Sequence, residues 1–149
     1  MASWLAGMRV TAARLRVPSA EVEDTVSTTI TSTTFADAAS GVFSTSVTVP
    51  FSGAVWVSIR STQRNSGALT NTITHFKADG SVSGAVYGAS TVAALIVGNT
   101  TNYSLSLRKR LSGLVVGEII TVTMQHRVSS ASTGTLDYRY IAIEGAPAP

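Results

Sequence analysis

A chain of 149 residues with 44% hydrophobic and 13% charged residues is long enough for one domain with a single core, and too hydrophobic for a disordered protein. Cysteine is absent, which excludes a disulfide framework, thiolate catalysis and a cysteine-bound metal. The net charge of +3 does not indicate a nucleic-acid-binding surface, and no apolar run reaches the roughly 18 residues that cross a membrane.

The polar part of the composition is dominated by small hydroxyl side chains, with 20 serines and 20 threonines. A balance that is uncharged and rich in β-branched residues favours pleated sheet over helix. We therefore expect an all-β protein, an antiparallel jelly-roll sandwich of eight or nine strands that follows an N-terminal docking arm.

The first segment, Met1 to Val17, is rich in alanine and arginine and has no strand pattern. Its apolar residues form a sparse helical stripe, which Gly7 weakens by about 1 kcal/mol relative to alanine. It also lacks the apolar core and cleavage site of a signal peptide, so we expect the chain to fold in the cytoplasm where it is made. We interpret the segment as an arm that docks on a larger particle; the alternative is a frayed terminus. The expected contact residues are Trp4, Leu5, Met8, Arg9 and Leu15.

The acidic stretch from Pro18 to Asp24 is interpreted as a linker, which places arm and linker at residues 1–23 and the sandwich at residues 24–149. Period-two alternation predicts strands from there onward. The pair Asp79-Gly80 predicts a hairpin turn, and Gln63 to Gly67 predicts a polar loop. The predicted strands lie within Asp24 to Phe35, Gly41 to Val49, Ala54 to Arg60, Leu69 to Lys77, Thr91 to Val97 and Tyr103 to Leu111.

The last third, Gly117 to Gly145, contains two long β-rich runs joined by six small polar residues, which predicts a closing hairpin. Strict alternation in the second run puts apolar side chains on both faces, whereas a single sandwich core buries only one face. We therefore expect another copy of the chain to cover the second face. The expected interface residues are Leu136, Tyr138, Tyr140, Ile141 and Ile143.

A search for chemistry finds no catalytic pattern. His75 and His126 are the two histidines, and neither has a metal-ligand spacing. The run from Gly80 to Gly84 lacks serine at the third position that a nucleophile elbow requires. The eight carboxylates lie mostly at turns and strand ends. We expect no enzyme activity, no cofactor and no metal.

Two stretches resemble a known group of proteins. The run Trp4-Leu5-Ala6-Gly7-Met8-Arg9-Val10-Thr11-Ala12-Ala13-Arg14-Leu15 resembles the Trp-x-x-Gly-x-x-Val-Thr-Ala-x-x-Leu opening of small virion proteins of tailed bacteriophages, particularly those of actinobacteria; Arg16 stands where that group usually has asparagine. Val49-Pro50-Phe51-Ser52-Gly53 and the final run resemble the jelly-roll domains that such particles share with the trimeric C1q and tumour-necrosis-factor group.

The resemblance implies a non-enzymatic structural protein of the virion, assembled in the host cytoplasm and fixed to other virion proteins of the capsid or tail by its arm. It also implies a trimer in which the last strand lies near the threefold axis. Two alternatives stay open. One is a receptor-binding module that recognises host-surface glycans through the loops Gln63 to Gly67 and Ser129 to Gly134, and the other is a secreted ligand of the C1q and tumour-necrosis-factor type.

Overall fold

The computed structural model describes residues 17–91 and 94–147, which form ten strands in two antiparallel sheets packed face to face. The predicted all-β sandwich is therefore confirmed. No helix that could cross a membrane is present in these two ranges. The strands are β1 (Ser19–Asp24), β2 (Thr28–Ile30), β3 (Ser44–Thr48), β4 (Ala54–Asn65), β5 (Thr72–Gly80), β6 (Gly84–Tyr87), β7 (Leu95–Val97), β8 (Tyr103–Ser112), β9 (Ile119–Val128) and β10 (Gly134–Gly145).

The strand order is that of a jelly roll. Sheet A has the order β1-β10-β4-β8, and β2 pairs with the start of β10 on the same side as β1. Sheet B has the order β3-β9-β5-β6, and β7 pairs with the start of β5 on the same side as β6. When β1 with β2 and β6 with β7 are each counted as one interrupted strand, the described chain has eight strands, and the first lies beside the last. This arrangement of two four-stranded sheets is the jelly-roll topology.

The predicted closing hairpin is wrong, because β9 and β10 belong to different sheets. β9 lies between β3 and β5, and β10 lies between β1 and β4, so each strand already has a neighbour on both sides. The connection at residues 129–133 crosses the end of the sandwich, where Thr133 N–H donates to the Ser66 hydroxyl at 3.0 Å. Two strands joined by a short polar loop therefore face each other across the core.

The predicted two-sided apolarity of the last strand is also wrong. The register of β10 against β4 shifts between Leu136 and Tyr138, which marks a β-bulge. One extra residue reverses the alternation from that point, so Leu136 joins Ile141 and Ile143 on the inner face. Tyr140 then points outward with Tyr138, and a single core takes the aliphatic side chains of the strand.

The acidic segment interpreted as a linker is a strand. β1 pairs with β10 over six residues, from Ser19 opposite Glu144 to Asp24 opposite Arg139. Ala20 and Val22 pack against the core, while the glutamates between them are exposed. The sandwich therefore begins at Ser19, five residues before the predicted boundary.

Other predicted strands are shorter or longer in the structure. The run Asp24 to Phe35 contains the last residue of β1 and the three residues of β2, the described part of the run Thr91 to Val97 contains β7, and β4 continues to Asn65. The structure has ten strands where eight or nine were predicted, because two of the strand positions in the sheets are each occupied by two short strands, β1 with β2 and β6 with β7. A hairpin joins β5 to β6 as predicted, but the Asp79-Gly80 pair lies at the end of β5 and not in the turn, and the positive φ of 69° is at Gly84.

The core lies between the inner faces of the two sheets, and alternation explains its composition. The alternation of β8 predicts that Tyr103, Leu105, Leu107 and Leu111 face the core; the three leucines do, whereas Tyr103 is exposed. β9 contributes Ile120, Val122, Met124 and Val128. The fully buried apolar side chains include Val55, Val57, Ile59, Phe76, Ile120, Val122, Met124, Leu136, Ile141 and Ile143.

A buried ion pair closes the side of the sandwich between β1 and β3. Arg139, on the inner face of β10, is 2% exposed and forms a salt bridge with Asp24. Its guanidinium donates to the Ser40 hydroxyl at 2.7 Å and lies 4.6 Å from the centre of the Phe43 ring. A hydrogen bond from Val26 N–H and the contact with Arg139 together lower the pKa of Asp24, so the acid is ionised.

We expect Asp24→Ala to lower the free energy of unfolding by about 3 kcal/mol, because it leaves the Arg139 charge buried without its partner. Glu144→Ala is the matched control. It removes the acid of the exposed Arg108–Glu144 pair, whose side chains are 55% and 54% exposed, and should cost less than about 1 kcal/mol. Urea unfolding measures both. Equal losses in the two variants would contradict the assignment of Asp24 and Arg139 as a buried pair.

Candidate functional site

The predicted interface residues do not form one surface. Leu136, Ile141 and Ile143 are 0% exposed within the single chain, so they have no surface to offer a second copy. Their assignment to the interface rested on unbroken alternation, which the bulge in β10 removes. Tyr138 and Tyr140 are half-buried on the outer face of sheet A, where a partner can reach them.

The outer face of sheet A carries an aromatic cluster, because three strands bring their outward residues into register. Tyr140 lies opposite Arg60 on β4, and Tyr138 lies opposite Thr62. Trp56 lies on the same face of β4, opposite Glu144 of β10. We call the surface formed by Trp56, Arg60, Arg108, Tyr138 and Tyr140 the aromatic face.

Hydrogen bonds to β1 hold the two tyrosines. Tyr140 O–H donates to Glu21 at 2.8 Å, and Tyr138 O–H donates to Glu23 at 3.4 Å. The bond to Glu21 raises the pKa of Tyr140, and burial together with the charge of Glu23 raises the pKa of Tyr138. Both phenols therefore stay protonated at neutral pH, and the face presents rings whose polar ends are already satisfied.

Cations lie over two of the rings. The Arg108 guanidinium is 4.8 Å from the Trp56 ring centre and forms a 3.0 Å ion pair with Glu144. The Arg60 guanidinium is 5.8 Å from the Tyr140 ring centre and has no ion pair among the described residues. Such contacts contribute about 0.5–1 kcal/mol each where they are exposed, and more where a partner excludes water.

Charge is divided across sheet A. The edge strand β1 carries Glu21 and Glu23, whereas the opposite edge strand β8 carries the run Arg108-Lys109-Arg110. Between them, Arg60, Tyr138 and the hydroxyls of β4 and β8 line a shallow depression of about 410 Å³. The surface is broad rather than cleft-like, a shape that suits a macromolecular partner more than an enclosed small molecule.

The arm residues predicted to dock, Trp4, Leu5, Met8, Arg9 and Leu15, lie outside the described residues. The two loops predicted to bind glycans differ from each other. The range Gln63 to Gly67 begins inside β4, where Gln63 and Asn65 are 0% and 1% exposed, so only its last residues belong to the surface. Ser129 to Gly134 lies at the same end of the sandwich and is exposed at Ser129 and Ser130.

The histidines are structural. His126 is buried, and its Nδ1 lies 2.9 Å from the Thr74 hydroxyl, which donates its own proton to Gln63 Oε1. The hydroxyl must therefore accept from Nδ1–H, which assigns the tautomer. His75 is buried on the other face of sheet B, with Nδ1 3.0 Å from the Phe76 carbonyl and Nε2 3.4 Å from the Tyr87 hydroxyl.

Both histidines are held neutral. Burial, with a smaller effect from Arg139, lowers the pKa of His126 to about 3. Burial also lowers the pKa of His75, with Lys109 adding to the effect and the hydrogen bond to Phe76 opposing it. Neither imidazole is poised for proton transfer near neutral pH. Within residues 17–91 and 94–147, no three histidine or acidic side chains are grouped so that they could hold a metal ion.

Glu118 stabilises the fold, and the sequence pattern did not identify it. It is 4% exposed just before β9 and accepts hydrogen bonds from Val115 N–H at 2.9 Å and Ser83 N–H at 3.2 Å. Burial acts to raise the pKa of Glu118, but the bonds from Ser83, Val115 and Val82 outweigh it and lower the pKa. The ionised carboxylate therefore joins the β5–β6 turn to the β8–β9 turn.

Sequence reasoning also missed Trp56 and Arg60 as surface residues beside the tyrosines. Alternation in β4 correctly separated Trp56 from Val55 and Val57. It gave no indication that β10 is the neighbour of β4, and that pairing is what gathers the rings on one face.

Comparisons with known proteins add no assignment. No protein-family model matches the chain, and no curated protein matches it.

We expect the free energy of unfolding to fall as pH drops below about 6.5, the ordinary pKa of histidine. A histidine that stays neutral in the folded state contributes a loss of ~1 kcal/mol per pH unit. The sign follows because the unfolded chain binds a proton that buried His126 does not bind until about pH 3. The test is urea unfolding at pH 7.5 and pH 5. His126→Gln should flatten the pH dependence, and a slope equal to that of the parent chain would contradict this account.

Proposed function

We propose that this chain is a non-enzymatic structural protein of a tailed-bacteriophage particle, and that its jelly roll forms a homotrimer through the aromatic face. The observation that carries the proposal is the aromatic face itself. Three of the five described tryptophan and tyrosine residues lie on it. Aromatic residues and arginine are the residue types enriched in protein interfaces.

The division of charge supports a head-to-tail contact. When copies are arranged head to tail, the basic edge at β8 of one copy approaches the acidic edge at β1 of the next. Such heterologous contacts generate a closed ring if the rotation closes. A threefold ring is the smallest one, and it agrees with the trimer that the resemblance implies.

Two further features support the assignment to a virion. The opening Trp4 to Leu15 resembles the first residues of small virion proteins, and the strand order is a jelly roll, the fold expected from the same resemblance. In this proposal residues 1–16 attach the trimer to another virion protein of the capsid or tail. The particle is assembled in the host cytoplasm, and the sandwich faces outward.

We expect Tyr140→Asp to lower the mass measured by light scattering from three times the 15.4 kDa chain to that of a single chain. An added carboxylate in an interface that excludes water is unpaired and costs several kcal/mol. Thr48→Asp, at an exposed position on the outer face of sheet B, is the control and should stay trimeric. A single-chain mass for the unmodified protein would contradict the proposed trimer.

We expect deletion of residues 1–16 to leave a folded sandwich that no longer joins the particle. All ten described strands lie outside this segment, so circular dichroism should keep its β-sheet spectrum. The measurement is the presence of the truncated chain in purified particles, with the full chain as control. Normal incorporation of the truncated chain would contradict docking by the arm.

A second candidate function is recognition of an acidic host-surface glycan. Arg60 without an ion pair, the Tyr138 ring and the hydroxyls of Thr62, Ser104 and Ser106 line one shallow depression, and these are groups that bind a carboxylated sugar. Screening the multivalent protein against immobilised glycans tests this function. Ser106→Asp, which lines the depression outside the aromatic face, should abolish binding of a carboxylated sugar and leave the mass measured by light scattering unchanged. A blank array at high density would argue against glycan binding.

A further inference from the structure

The end of the sandwich where the chain enters β1 presents an apolar surface formed by three turns. Phe51, in the β3–β4 turn, is 91% exposed, and Val82, in the β5–β6 turn, is 72% exposed. The β8–β9 turn adds Val115, Val116 and Ile119, each about half exposed. We call these five residues the turn platform. Clustered exposed apolar groups of this kind mark a surface that another group covers.

The turn platform is rigid, because hydrogen bonds connect its three turns. Gly117 N–H donates to the Val49 carbonyl at 3.0 Å, and Leu114 N–H donates to the Gly53 carbonyl at 3.0 Å. Glu118 binds the β5–β6 turn through Ser83, as described above, and Ser81 N–H donates to the Ile119 carbonyl at 2.9 Å. The exposed side chains are therefore held in place, and covering them costs little backbone entropy.

Val17, to which the leading segment of residues 1–16 is joined, lies beside this platform. Gly145 N–H donates to the Pro18 carbonyl at 2.8 Å. A Cβ placed on Gly145 would lie 2.9 Å from Val17 and 3.2 Å from Pro50, so all three residues meet at the base of the β3–β4 turn. Sixteen residues can extend to roughly 50 Å. The platform therefore lies within reach of the segment.

The segment supplies large apolar side chains that suit the platform. Within residues 1–16 these are Trp4, Leu5, Met8 and Leu15. Glu118, beneath the platform, is 4% exposed and accepts hydrogen bonds from Val115 and Ser83, so it is not available for an ion pair. Apolar contact therefore carries the docking.

We propose that residues 1–16 dock on the turn platform of their own chain, with Trp4 and Leu5 against Phe51 and its neighbours. This inference concerns the free chain and does not depend on the virion role. If the virion role holds, joining the particle transfers the same apolar side chains from the platform to a virion protein. The segment then serves as an internal cover before assembly and as an anchor afterwards.

Tryptophan fluorescence of the full chain tests the docking. The chain has two tryptophans, so Trp56→Phe leaves Trp4 as the only indole. We expect its emission to be blue-shifted and shielded from acrylamide relative to a free peptide of residues 1–16. Phe51→Ser combined with Val116→Ser, both at exposed positions, should abolish that shielding. Leu69→Ser with Val26→Ser, 99% and 67% exposed and outside the three turns of the platform, should leave it unchanged.

Three outcomes overturn the proposal: Trp4 quenched as freely as in the peptide, equal loss of shielding in both double variants, or shielding that disappears on tenfold dilution. The last outcome would place the segment on another copy. Circular dichroism verifies that the serine variants are folded. Because the measurement uses no particle, a failure here is distinct from a failure of the deletion variant to change incorporation.

Discussion

The β-bulge between Leu136 and Tyr138 determines what this protein presents to its surroundings. Without it, strict alternation would send Leu136 outward with Tyr138 and Tyr140, and the last strand would carry apolar groups on both faces. With it, the aliphatic residues of β10 enter the core and the rings remain outside. One inserted residue thus separates the groups that stabilise the fold from the groups available for binding.

The two ends of the sandwich are stabilised differently. Near the turn platform the core is apolar, and the one buried charge, Glu118, is satisfied by backbone and hydroxyl donors. Near the opposite end the interior is polar. Gln63 there donates to the carbonyls of Thr72 and Leu95 and accepts from Thr74. The three hydrogen bonds of the Gln63 amide fix one packing arrangement, because any shift would leave its buried donor or acceptor unpaired.

Much of the fold followed from local pattern, and what did not follow was non-local. Alternation placed the inner face of β9 correctly and that of β8 correctly except for Tyr103 at its exposed start, because the residue type at each position indicates whether the side chain is buried. The same pattern could not say which sheet a strand joins, so β9 and β10 were predicted as a hairpin. β1 was missed because Glu21 and Glu23 suggest a solvated linker, and only pairing with β10 shows that Ala20 and Val22 between them face the core.

The site was less predictable than the fold, for the same reason. Tyr138 and Tyr140 were identified, but Trp56 and Arg60 joined them only through the register of β4 against β10. The turn platform depends on three turns far apart in sequence, joined by Glu118, and no local pattern reports that they share one end. The aromatic face lies on the flat side of sheet A, whereas the platform lies at an end of the sandwich. The proposed association of copies and the proposed docking of the leading segment would therefore use separate surfaces, and one would not exclude the other.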